Sequence, residues 1–150
     1  MRRIPKAALY LGLAGLLPFV WGALSHLLPD LTSPLRGLLP SRLSGTTVLH
    51  GYGIVILCFM SGVLWGFAAQ TAGRPATIGY CLSVFPALWA FFAVSSGVQD
   101  PLWALIEGFS VLLLFDFYFW YGTIAPRWWM WLRSLLTAVV LGCLYIGIHF

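Results

Sequence analysis

Two acidic residues stand inside an otherwise apolar segment, where a carboxyl group could carry a proton or bind an ion. Glu107 and Asp116 lie nine residues apart between Pro101 and Thr123. At about 100° per residue, this spacing turns an α-helix by about 180°, so the carboxyl groups point to opposite faces, roughly 13 Å apart along the axis. A helix therefore keeps them too far apart to act together as general acid and general base.

A partner for Asp116 is available in Arg133, near the start of the next apolar segment. An ionisable side chain within a membrane costs roughly 2.5–3.5 kcal/mol on insertion scales, so it needs a neutralising neighbour. We predict a structural ion pair between Asp116 and Arg133. A proton or ion path through Asp116 is the alternative interpretation.

The three histidines fall at segment ends: His26 at the end of the first, His50 at the start of the second and His149 at the end of the last. Alternating helix directions would place all three, with Glu107, in one polar cluster at the outer face. Imidazole and carboxylate suit zinc, copper or iron, but polar side chains ordinarily collect at helix ends. We expect a contact from His50 or His149 to Glu107, with no metal and no cofactor; a metal or haem site is the alternative.

Composition indicates which elements must position these residues. Hydrophobic residues make up 61% and charged residues 8%, against roughly 45–50% and about 25% in soluble domains. These values exclude a water-soluble globule, and 8 Trp, 6 Tyr and 11 Phe exclude a disordered chain. The net charge of +4 comes from basic residues scattered at segment ends, which form no nucleic-acid patch.

Five segments are long enough to cross a hydrocarbon core of about 30 Å as helices. The sequence predicts an all-α integral membrane protein forming a single domain over residues 1–150. The predicted spans are 6–28, 47–70, 76–98, 101–123 and 129–149. Continuous apolar windows disfavour a β-barrel, and short loops predict antiparallel neighbours. In the first loop, Ser33 as N-cap and Pro34 at the first helical position predict a short surface helix.

The distribution of Lys and Arg predicts the orientation, because positively charged loops stay in the cytoplasm. With the N-terminus inside, six basic residues lie inside and two outside. The inner set is Arg2, Arg3, Lys6, Arg74, Arg127 and Arg133, and the outer set is Arg36 and Arg42. We therefore predict an N-in, C-out topology. A cleaved signal peptide is disfavoured because the first apolar stretch exceeds the 7–15 residues typical of such a core.

Small residues at helical spacing predict close helix packing in two places. Gly12 and Gly15 lie in the first span, and Gly62 and Gly66 in the second. Such faces let helix backbones approach each other. We expect them to pack inside the protein first and against a partner helix second. Pro18 in the first span leaves the carbonyl of Ala14 without its helical donor.

Four segments resemble a known membrane family, the domain of unknown function 3429 (DUF3429), which includes transmembrane protein 69-like proteins of eukaryotes. The segments are IPKAALYLGLAGLLPF from Ile4, YGIVILCFMSGVLWGFA from Tyr52, GYCLSVFPALWAF from Gly79 and APRWWMWLRSLLT from Ala125. The second motif of that family more often has Gly-Gly and a His before the Trp, whereas Ser61-Gly62 and Leu64 stand at those positions here. This departure argues against an essential ligand at Leu64. The resemblance implies a five-helix inner-membrane protein with mitochondrial relatives, and it implies no activity or cofactor.

Catalytic motifs are missing from the sequence: there is no nucleophile elbow, phosphate loop, HExxH or CxxC. We therefore expect a non-enzymatic accessory or assembly subunit of a respiratory or photosynthetic complex in the bacterial inner membrane. Its partners would be the lipid bilayer and other membrane-protein subunits, with no nucleic acid. The alternative is a small transporter or ligand-binding protein that uses Glu107 or Asp116.

Overall fold

The computed structural model describes residues 3–36, 38, 40, 43, 45–94, 96–97 and 99–150. Over these residues the chain is helical, with no strand. The helices are α1 (Lys6–Ala14), α2 (Leu17–Leu27), α3 (Pro29–Arg36), α4 (Gly45–Ala68), α5 (Arg74–Trp89), α6 (Pro101–Tyr121) and α7 (Trp129–His149). A π-helical turn, Ala90–Val94, continues α5.

Five of the described helical segments are long and apolar enough to cross a membrane, which confirms the predicted fold class. They are Lys6–Leu27, Gly45–Ala68, Arg74–Val94, Pro101–Tyr121 and Trp129–His149. The N-in, C-out orientation stays a prediction, and two residues of its charge count, Arg2 and Arg42, lie outside the described residues.

The first span is broken between α1 and α2, at Gly15 and Leu16. Pro18 has no N–H to give to the Ala14 carbonyl, so the regular hydrogen-bond ladder is interrupted here. Leu16 N donates to Leu13 O at 3.0 Å, a bond that tightens the turn. The α1 segment buries none of its residues, whereas α2 buries Phe19 and three others. The N-terminal half of this span is therefore the less tightly packed half.

The short helix α3 begins earlier than predicted, at Pro29, where the missing N–H of proline costs no helical bond. Pro34 consequently lies inside the helix, five residues after the start. It cannot donate to the Asp30 carbonyl, and the Ser33 hydroxyl donates to that carbonyl instead, at 2.9 Å. The serine thus compensates for the proline in place of acting as an N-cap.

The third span ends at Val94, four residues before the predicted end. Pro86 lies inside α5, and the helix widens into the π-helical turn directly afterwards. Gly97 then takes a φ of 68°, in the left-handed region that favours glycine, so the chain turns towards α6. Proline and glycine together end this span before the uncharged stretch ends at Gln99.

Glycines bring the central helices together. A Cβ placed on Gly53 would lie 2.6 Å from Leu105 Cδ1, and one on Gly108 would lie 2.8 Å from Leu57 Cδ2. These two positions join α4 to α6, and both distances are shorter than real Cβ contacts. The core sits along this contact, with α2, α5 and α7 around it. Its fully buried leucines on α4 are Leu49, Leu57 and Leu64.

The bundle has two ends, which we name by their residues. At the histidine end, Gly45 N at the start of α4 donates to Ser25 Oγ near the end of α2, at 2.8 Å. A Cβ on Gly147, near the end of α7, would lie 2.7 Å from Leu49 of α4 and 3.0 Å from Leu102 of α6. The opposite end, where α6 ends and α7 begins, is the arginine end and contains Arg133.

The start of α6 gives a test of local stability. Asp100 is its N-cap, and the side chain accepts a hydrogen bond from Leu102 N at 2.8 Å. Replacing Asp100 with alanine is expected to lower the free energy of unfolding by about 1 kcal/mol, because that amide loses its acceptor. Denaturant unfolding in detergent measures this. Asp100→Asn keeps an acceptor oxygen and should unfold like the native chain; equal unfolding of all three proteins would contradict the cap.

Candidate functional site

The turn between α6 and α7 sets the position of the buried charges. Thr123 has a φ of 58°, its N–H donates to Trp120 O at 3.1 Å, and Ile124 N donates to Phe119 O at 2.9 Å. This pair of bonds is the Schellman arrangement that closes a helix C-terminus. The chain reverses within a few residues, so the last turns of α6 lie beside the first turns of α7.

Asp116 lies in these last turns of α6 and exposes none of its side chain. Its Oδ2 accepts a hydrogen bond from Arg133 Nε at 2.7 Å. Its Oδ1 accepts one from Trp129 Nε1, also at 2.7 Å. Trp129 and Arg133 are four residues apart on α7 and so face the same side of that helix. The structure thus brings together the two residues that the sequence paired.

The surroundings of the ion pair are aromatic. The Phe67 ring of α4 meets the Trp129 ring edge-on, with centroids 5.0 Å apart. Arg133 Cζ lies 5.9 Å from the centroid of the Trp129 ring, near the outer limit of about 6 Å for a cation–π contact. Both carboxylate oxygens of Asp116 are occupied by donors, and the side chain is fully covered. The arrangement ties α4, α6 and α7 together and gives no support to a proton path through Asp116.

Two polar atoms near the pair have no hydrogen-bond partner among the described residues. They are Arg133 Nη2 and Thr137 Oγ1. Arg133 is 5% and Thr137 1% exposed, and the two residues are one helical turn apart on α7. Sequence reasoning missed Thr137 and the Trp129 donor, although the i, i+4 spacing from Arg133 places both on its face.

A cavity of about 380 Å³ adjoins these two residues. It lies between the first span, α4 and α7, at the level where α1 and α2 are interrupted. Apart from Trp129, Arg133 and Thr137, its lining residues are apolar. The lining includes Gly15, Leu16, Phe19, Met60, Val63 and Val140.

Within the described residues Glu107 forms no hydrogen bond or ion pair with a histidine, contrary to the expectation from the sequence. Its side chain is exposed, and its Oε2 accepts a hydrogen bond from Gln99 Nε2 at 3.1 Å. The turn at Gly97 and Asp100 brings Gln99 back over the start of α6, which explains why this amide reaches the carboxylate. Glu107 is exposed and Asp116 is buried, which agrees with their predicted positions on opposite faces of α6.

The three histidines lie on helix ends that meet at the histidine end. His26 is half-buried in the last turn of α2. His50 Nε2 is buried and lacks a partner in the described part of the chain. His149 packs against Tyr145 and Trp103, with ring centroids 4.3 and 6.0 Å apart. Within the described residues, no three His, Cys, Asp or Glu side chains are placed to hold a metal ion.

The four predicted packing glycines divide into two kinds. A Cβ on Gly12 would lie 3.1 Å from Leu136 of α7, and one on Gly15 would lie 3.8 Å from the Tyr52 hydroxyl. A Cβ on Gly62 or Gly66 would meet nothing within 4 Å. A neighbouring helix therefore lies close to Gly12 and Gly15, whereas none lies beside Gly62 and Gly66 in the described part of the chain. Gly62 and Gly66 belong to the open face of α4, which consists of Gly51, Val55, Cys58, Gly62 and Gly66, all exposed.

Comparisons with known proteins give one family and a set of curated relatives. The model of the family described as "Protein of unknown function (DUF3429)" matches residues 4–149. Transmembrane protein 69 of Xenopus tropicalis is 34% identical over 143 residues, covering 93% of this chain and 52% of its own length. Transmembrane protein 69 of Mus musculus is 30% identical over 144 residues, covering 90% of this chain and 52% of its own length. The chain spans about half the length of these relatives. No solved structure matches it.

Proposed function

This chain belongs to the DUF3429 family, and we propose that it is a non-enzymatic subunit that docks on other membrane-protein helices. Five apolar helices among the described residues, together with relatives named transmembrane proteins, make it a multi-pass membrane protein. The docking surface is the open face of α4. The role is that of an accessory or assembly subunit of a respiratory or photosynthetic complex in the bacterial inner membrane.

The observation that carries the proposal is the contrast between glycines on one helix. On α4, Gly53 is filled by Leu105 of the same chain, whereas nothing lies within 4 Å of a Cβ on Gly51, Gly62 or Gly66. Interfaces between membrane helices are rich in small residues four apart, because these let the backbones approach closely. A helix of another subunit could pack closely on the open face, as Leu105 packs on Gly53 within this chain.

The other parts of the proposal rest on the sequence. A non-enzymatic role is supported by the absence of the recognised catalytic motifs from the sequence. A respiratory or photosynthetic membrane is supported by the mitochondrial relatives that the family resemblance implies. The alternative, a transporter using Glu107 and Asp116, finds less support because the first is exposed beside Gln99 and the second is sealed by Trp129 and Arg133.

Lengthening the side chains of the open face should abolish docking. We expect the double variant Gly62→Leu/Gly66→Leu to retain less than a tenth of the co-purifying subunits, because the new side chains keep the partner backbone away. The measurement is mass spectrometry of the tagged chain purified from native membranes in mild detergent. Bifunctional maleimide crosslinking from Cys58, which is exposed on the same face, identifies the neighbour directly.

A matched control is available on α7. Gly142 is exposed and a Cβ on it would also meet nothing within 4 Å, so Gly142→Leu adds the same bulk elsewhere on the surface and should keep the partners. The proposal fails if the native chain purifies alone, or if the double variant keeps its full set of partners.

A further inference from the structure

We propose that the cavity between the first span, α4 and α7 binds a neutral lipophile that carries a carbonyl oxygen, held by Arg133 Nη2 and Thr137 Oγ1. This site lies apart from the open face of α4, so it does not depend on the docking proposal. The class of ligand follows from the unpaired polar atoms, the local charge and the shape of the cavity.

Two buried polar atoms beside the cavity lack hydrogen-bond partners in the part of the chain that the structure describes. Buried polar groups in proteins are almost always hydrogen-bonded, and each one that is not requires an explanation. Arg133 Nη2 and Thr137 Oγ1 are both buried without a partner among the described residues, and both residues line the cavity. A threonine hydroxyl within a helix commonly bonds back to the carbonyl four residues earlier, and here that bond is not made. A ligand oxygen in the cavity would supply the kind of partner that they lack.

The charge of the residues around the cavity determines which kind of ligand oxygen the site prefers. Arg133 is already neutralised by Asp116, at 2.7 Å. A carboxylate or phosphate in the cavity would add an uncompensated negative charge in an apolar setting, which carries a large desolvation penalty. A carbonyl oxygen accepts hydrogen bonds without that penalty. The site is therefore expected to prefer a neutral ligand.

The size and walls of the cavity fit such a ligand. Its volume of about 380 Å³ falls within the range of roughly 300–1,000 Å³ found for small-molecule sites. The rest of the lining is almost wholly apolar, with Leu16, Phe19 and Met60 among it. The loosely packed α1 forms one wall, which gives access from the lipid side. Because both polar atoms are covered, the ligand oxygen reaches them after a rotation of Thr137 or of a neighbouring apolar side chain, while Arg133 stays paired with Asp116.

Binding is tested on the full chain in dodecyl maltoside, a detergent without a carbonyl group. Native mass spectrometry measures the apparent Kd of four probes: decylubiquinone, 1-palmitoylglycerol, palmitate and decylbenzene. The two carbonyl probes should bind at least tenfold more tightly than palmitate or decylbenzene, and the tighter of the two distinguishes a quinone from an ester lipid. Equal binding of all four, or tightest binding of palmitate, would overturn the assignment.

Two variants locate the site. Thr137→Val keeps the side-chain shape and removes the hydroxyl, so it should weaken the carbonyl probes about tenfold while the empty protein unfolds no more easily than the native one. Val63→Phe fills the cavity and should weaken them more than tenfold, whereas Val84→Phe, exposed on α5, should leave them unchanged. Undiminished binding in both Thr137→Val and Val63→Phe would place the probes elsewhere and refute the proposal.

Discussion

Replacing Arg133 with leucine is expected to lower the free energy of unfolding by about 3–5 kcal/mol, the cost of leaving one partner of a buried ion pair alone. Asp116 would keep only the hydrogen bond from Trp129 and would carry an uncompensated charge with no exposed surface. Unfolding by a strong denaturing detergent, followed by circular dichroism, measures the loss.

Two further variants separate charge from side-chain size. Arg127→Leu, at an exposed position of the same end, should change stability by no more than about 0.5 kcal/mol. The double variant Asp116→Asn/Arg133→Leu removes both charges yet keeps an acceptor for Trp129, so it should recover more than half of the loss. If Arg133→Leu unfolds like the native chain, the ion pair contributes nothing to the contact between α6 and α7.

Replacing Gly79 with valine is expected to lower the free energy of unfolding by about 3 kcal/mol, at the upper end of the usual cost of overpacking. A Cβ at this position would lie 2.8 Å from the Cβ and 3.5 Å from the Cα of Ala68, and 3.4 Å from Phe119 Cζ. Ala68 has no flexible side chain that could move away. The helices α4 and α5 must therefore separate, and the same denaturation measurement detects the change.

The matched control for Gly79 is again Gly142, which is mid-helix and open. Valine at position 142 adds the same two branches without meeting an atom within 4 Å at its Cβ, so it should change stability by no more than about 0.5 kcal/mol. Similar losses at both positions would mean that the added side chain itself, rather than the α4–α5 contact, determines the result.

The ion pair also prepares the proposed ligand site. Because Arg133 donates through Nε to Asp116, the plane of its guanidinium group is fixed before any ligand arrives. Nη2 is then held within the wall of the cavity, so Arg133 loses little further side-chain entropy when a ligand binds. The hydrogen-bond donor is in this sense preorganised. A residue that the sequence identified as structural thus becomes a positioned hydrogen-bond donor.

Much of the fold could be predicted because membrane spans are encoded locally. A run of about 20 apolar residues in a membrane can satisfy its backbone hydrogen bonds in few ways other than as a helix. The five spans could therefore be identified from local runs of apolar residues. The ends of the spans were harder to predict from the sequence. The third span stops at Val94 because Pro86 and Gly97 disturb the helix within an uncharged stretch that continues to Gln99.

The candidate site was only partly predictable, for a different reason. Opposite charges in neighbouring apolar segments must neutralise each other, which was enough to pair Asp116 with Arg133. Glycine spacing could not distinguish Gly53, which Leu105 fills, from Gly62, which faces open space, because both lie on the same helix in similar sequence. Only the positions of the other helices separate them.

The sequence by itself therefore determined that this is an α-helical membrane protein with one neutralised ion pair, because hydrophobic length and charge compensation act over short stretches of chain. Tertiary structure decided that Glu107 meets Gln99 and that Gly62 is left open. It also decided that Arg133 and Thr137 border an apolar cavity. Such features depend on how helices distant in sequence rotate and approach one another, and helix rotation is set by the packing of the whole bundle.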